Sequence, residues 1–150
     1  MPTFRFRFQP VLEQRKRAEE VIQREVAVLE RSRLALEDRI RAIQALIADE
    51  KRVQRDALTG KADLAAARAR AASALGLAAD ARKLAIELAG LLKLLDAARE
   101  RLRAASAQTK AVALLRDRDF GAWKAEVNRR ELLALDDLAV MRAGRQESVT

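Results

Sequence analysis

Cysteine, histidine and tyrosine are absent from these 150 residues, and the two prolines both lie at or before Pro10. Without cysteine or histidine there are no disulfides, no thiolate or imidazole metal ligands and no ordinary nucleophile–base pair. The lack of cysteine is compatible with a reducing compartment. Without proline after residue 10, nothing between Pro10 and Gly60, or between Gly90 and Gly121, forces a helix to stop. Glycine is scarce too: Gly60, Gly76, Gly90, Gly121 and Gly144 are the whole set. Aromatic residues make up 3%. No stretch approaches the ~20 consecutive apolar residues of a membrane-spanning helix. The alternating Phe4-Arg5-Phe6-Arg7-Phe8 is followed by charge and lacks the apolar run of a signal peptide. A chain that is helical nearly throughout offers no deep pocket, which predicts a mechanical or adhesive role and no catalysis.

What is present points the same way. Hydrophobic residues make up 50% of the chain, dominated by alanine and leucine, and charged residues 35%. Alanine, leucine, glutamate, arginine and lysine at helical spacing read as coiled coil, with a narrow buried seam and a wet remainder. The net charge of +8 is unevenly placed. Residues 1–60 hold 13 basic and 10 acidic groups, residues 61–118 hold 12 and 6, and residues 119–150 hold 5 and 6. Such a surface suits plain solvation or an acidic partner better than nucleic acid.

The predicted fold is all-α, a long two-helix antiparallel coiled coil with a short intervening helix near the hairpin tip. The first helix is expected over about 10–58, roughly 75 Å at ~1.5 Å per residue, with Pro10 suited to its first turn. Its seam follows alternating steps of four and three: Phe8, Leu12, Arg15, Glu19, Ile22, Val26, Leu29, Arg33, Leu36, Ile40, Ile43 and Ile47. Arg15, Glu19 and Arg33 interrupt the stripe and would fix its register. Gly60 is expected to close this helix in a left-handed conformation. A short, weakly packed helix is expected over about 62–75, ended or bent by Gly76 unless the strong helix formers on both sides carry it straight through. A last helix is expected over about 78–143, with seam residues Leu84, Leu88, Leu91, Leu95, Ala98, Leu102, Ala105, Thr109 and Val112. Beyond Val112 the frame shifts to Phe120, Trp123, Val127, Leu135 and Leu138. Gly144 is expected to close this helix, leaving 145–150 as a disordered tail in a single-domain chain.

The motifs of chemistry are missing. No glycine-rich phosphate loop or calcium loop occurs. The acidic pairs Glu19-Glu20, Asp49-Glu50 and Asp136-Asp137 are adjacent in sequence, so on a helix their side chains diverge. No cofactor and no metal are expected.

The two ends carry a resemblance. Phe4-Arg5-Phe6-Arg7-Phe8-Gln9-Pro10-Val11-Leu12-Glu13, then Arg15 and Glu19-Glu20, resembles the opening of the flagellar FliJ family. Lys110, Leu114-Leu115, Arg118, Trp123 and Arg129-Arg130-Glu131-Leu132-Leu133-Ala134-Leu135-Asp136-Asp137-Leu138 resemble its C-terminal stretch, with Asp137 where the family usually has glutamate. The resemblance covers essentially the whole chain. It implies an antiparallel coiled coil similar to the central shaft of rotary ATP synthases. Such a protein sits in the hexameric flagellar export ATPase, promotes its assembly and activity, reaches the cytoplasmic domain of the export gate and handles export chaperones.

By that analogy the end with both termini enters the ATPase ring. The candidate contacts are Arg5, Arg7, Arg15, Arg17, Trp123, Arg129 and Arg130. The Gly60 end faces the gate. Where the family carries exposed large side chains there, this sequence has Ala42, Ala45 and Asp49, which leaves Ile43, Leu46, Ile47 and Leu58 as the apolar candidates. The expected location is cytoplasmic, at the inner face of the inner membrane through partners. Competing readings are the equivalent stalk of a virulence-type injectisome, a basic coiled coil binding nucleic acid or protein, and a homodimeric scaffold. Nucleic acid is not an expected partner.

Overall fold

The computed structural model describes residues 3–60 and 63–147, and two helices account for nearly all of them. Helix α1 runs Gln9–Leu58 and helix α2 runs Leu64–Glu147. No strand occurs among the described residues. The Phe-Arg stretch before α1 is neither strand nor helix; Phe6 accepts the Gln9 amide at 3.2 Å and Phe8 that of Leu12 at 3.0 Å, so the chain turns into the helix there.

The two helices pack against each other within each of two compact units. One unit comprises residues 1–20 and 104–150, the other 21–103. In the second, Arg101 reaches Glu25 at 2.6 Å and Arg99 reaches Glu30, so partner numbers on α2 fall as those on α1 rise. That is antiparallel pairing. The first unit shows the same sense: Arg15 donates to Gln108 at 2.5 Å and Glu19 accepts from Ser106.

In each unit both helices contribute buried residues. Leu36, Leu84, Leu95 and Ala98 are buried in the second unit, Leu95 and Ala98 completely. Phe6, Leu12 and Thr109 are buried in the first. Ile22, Val26, Leu29, Ile40, Leu88, Leu91, Leu102 and Val112 are half-buried. Few side chains are fully enclosed because two helices alone cover only a narrow stripe of each other. The polar residues expected to break the α1 stripe are satisfied. Arg33 donates to Glu30 at 2.9 Å and to Glu37 at 2.8 Å, and Glu19 keeps the Ser106 hydroxyl.

Three expectations at the element ends are corrected. The short intervening helix is not present as a separate element: α2 is continuous from Leu64 through Gly76 to Glu147. A glycine inside a helix costs only ~1 kcal/mol against alanine, and the alanine-rich flanks outweigh it. Gly60 does not adopt the left-handed conformation; no positive-φ residue occurs among those described. Instead α1 ends where Thr59 bonds back to the Asp56 carbonyl through its amide (3.3 Å) and hydroxyl (2.6 Å). The start of α2 is set by Asp63, whose carboxylate accepts the amides of Ala65 (2.9 Å) and Ala66 (3.4 Å) in the manner of an N-cap. Gly144 does not close α2 either, since the helix runs on to Glu147. The part of the expected tail at 148–150 lies outside the described residues.

Candidate partner-binding surfaces

Five rings define one candidate surface in the first unit. Phe4 sits edge-on to Phe120 at 5.2 Å and tilted to Trp123 at 5.7 Å, while Phe120 and Trp123 stack at 5.7 Å. Phe6 and Phe8 meet edge-on at 5.9 Å, with the Arg7 guanidinium 5.7 Å from the Phe8 ring. Pairs of this kind favour such offset or edge-on geometry. The Phe4–Phe8 stretch therefore divides its work: Phe6 is buried, Phe4 packs on α2, and Phe8 stays 42% exposed.

Trp123 is half-buried and also lines an open groove of about 300 Å³ with Glu126, Val127, Arg130, Glu131 and Ala134. Arg129 and Arg130 both turn back onto Glu126, at 3.1 and 2.8 Å. These hydrogen bonds, Arg129 first, hold the Glu126 carboxyl below the usual range. Arg15 is committed to Gln108, and Arg17 lies 3.7 Å from Glu13. Arg5 is exposed. Of the basic candidates named from sequence, most are thus already engaged with neighbours in their own unit.

From Asn128 to Arg142 every residue is exposed. Leu132, Leu133, Leu135, Leu138, Val140 and Met141 are each more than half accessible. The expectation that Leu135 and Leu138 continue a seam is corrected here: they meet no second helix among the described residues. The signal was available in the element lengths, since α1 has 50 residues and α2 has 84. Apolar spacing along one helix says nothing of where its partner helix ends.

Near the turn, Ile43 and Ile47 are half-buried, whereas Leu46 and Leu58 are 54% and 64% exposed. Leu58 borders a cavity of about 370 Å³ lined also by Gln54, Asp56, Gly60, Asp63 and Arg70. No cluster of metal-ligating side chains occurs among the described residues, and no helix there is long and apolar enough to cross a membrane.

The family described as Flagellar FliJ protein matches residues 4–148. The chain belongs to the FliJ family. It is thereby a flagellar export-related protein, of a family whose members are non-catalytic. No curated protein and no solved structure matches the chain. The match spans both helices and the aromatic N-terminal segment. FliJ membership favours the flagellar system over the injectisome among the readings left open by the sequence.

Proposed function

We propose that this FliJ-family chain acts as a stalk-like coiled coil that binds and stimulates the hexameric flagellar export ATPase and couples it to the cytoplasmic domain of the export gate. Export chaperones are further partners. The chain works in the cytoplasm, held at the inner face of the membrane by those partners, and it carries out no chemistry of its own. The observation that supports ATPase binding is the bare end of α2. Fifteen consecutive exposed residues, including six large apolar ones, stand beside the Phe4–Phe120–Trp123 cluster. An apolar helix surface of this kind calls for a partner.

Titration of the cognate export ATPase with the purified chain tests this reading. The rate of phosphate release should rise to a plateau. The pair Leu135→Glu and Leu138→Glu, at exposed positions, should remove the stimulation without lowering the melting temperature of the chain. An ATPase rate indifferent to the chain would refute the reading.

A further inference from the structure

One face of α2 in the second unit follows a different rhythm from the seam. Leu64, Leu75 and Ile86 recur every eleven residues and are 73%, 72% and 74% exposed. Eleven residues make three helical turns with little drift, so these side chains lie along one nearly straight line. Ala79, Gly90 and Ala97 fall on the same line and keep it low. Adding a methyl at Gly90 would meet nothing within 4 Å, so no packing inside this chain requires glycine there, although glycine weakens a helix.

The charges along this line have one sign. Arg68, Arg82 and Lys93 lie on it, all exposed and without an ion-pair partner among the described residues. The acids of the same stretch, Asp80, Glu87 and Asp96, lie off it. A line of spaced large apolar groups, small residues between them and unneutralised cations is the complement of a helix with apolar anchors and acidic flanks. We propose that the outward face of α2 from Leu64 to Ala97 docks an acidic amphipathic helix of a partner protein. The docking surface is roughly 50 Å long at ~1.5 Å per residue.

Two other occupants fit less well. A second copy would set Arg68, Arg82 and Lys93 against the same cations. A lipid surface calls for a broad apolar face with aromatic residues, whereas this line has one large side chain in eleven and no ring. The glycine and alanines, which let two backbones approach, gain nothing from lipid. This inference goes beyond the stalk reading and uses none of the residues assigned to it.

The test uses the full chain and a synthetic 33-residue helical peptide. The peptide carries leucine every eleven residues, alanine between and glutamate on both flanks; a second peptide has lysine in place of glutamate. Fluorescence anisotropy should show the acidic peptide binding and the basic one not. Ile86→Lys should weaken binding ~10-fold or more, the scale expected from losing one buried aliphatic anchor. Gly90→Leu should also weaken it while leaving the melting temperature no lower. The triple variant Arg68→Glu, Arg82→Glu, Lys93→Glu should exchange the preference for the two peptides. Failure of the acidic peptide to bind, or an affinity unmoved by Ile86→Lys, would overturn the proposal. So would an Ile86-dependent dimer in sedimentation, which assigns the face to a second copy. Ile86-dependent binding to phosphatidylglycerol vesicles with no peptide binding would assign it to lipid and overturn it equally.

Discussion

Glu19 stands where the seam spacing calls for an apolar side chain, and its surroundings show what a charge can do there. Ser106 donates to its carboxylate, and hydrogen bonding from Ser106 and Thr109 holds its pKa below the ordinary value. Arg33 and Arg99 do the same for Glu30. A carboxyl whose folded pKa is depressed contributes stability that is fully present above its unfolded value, about 4.3. That contribution is lost as pH falls through the folded value. The melting temperature should therefore be flat near neutrality and fall on acidification below about pH 4. Glu19→Gln, followed by circular dichroism across the same range, should lessen that fall; an identical pH profile would show that the Ser106 contact contributes nothing. Leu95 and Leu91 are equivalent by spacing, yet Leu95 is fully buried and Leu91 only half. Leu95→Ala should cost about 2–5 kcal/mol, Leu91→Ala less, and Arg68→Ala, on the exposed side, within about 0.5 kcal/mol. Urea melts of the three variants give the ranking. Spacing alone cannot separate Leu91 from Leu95, because both sit on the same stripe.

At the scale of the element, the absence of proline and the run of apolar residues at steps of three and four made both helices legible. The same reasoning placed the end of α1 at Leu58, where it lies. At Gly76 a break and a straight run were both open, and the helix runs on because the glycine costs less than the helix-forming preference of its neighbours contributes. Gly76→Ala should accordingly stabilise the chain by about 0.5–1 kcal/mol, since the new methyl meets nothing within 4 Å. A loss of stability in denaturant melts would mean that the helix bends at this residue. At Gly60 the sequence pointed to glycine, whereas the structure uses Thr59 and Asp63. Antiparallel pairing in the first unit is open to a direct check. The chain has no cysteine, so Arg15→Cys with Gln108→Cys reports without background. A short bismaleimide should join the two within one chain, and failure to do so would contradict the pairing.

For the whole molecule, the sequence was most informative at its ends. The Phe-Arg repeat and the Arg-Glu-Leu-Leu stretch carried the resemblance to the flagellar family, and the match over residues 4–148 agrees with it. The candidate contacts were less legible. Of the basic residues chosen for their charge, Arg17, Arg129 and Arg130 pair with nearby acids and Arg15 bonds to Gln108, while Trp123 packs on Phe4 and Phe120. The accessible features are instead the leucines after residue 131 and the straight outward line on α2. Neither could be found from charge, since both depend on which faces lack a partner once the helices have paired. Secretion by living cells tests the central claim most directly. A strain of the source organism lacking this chain should release little flagellar hook and filament protein into its medium, and a plasmid copy should restore the release. Wild-type secretion in the absence of the chain would contradict its role in export.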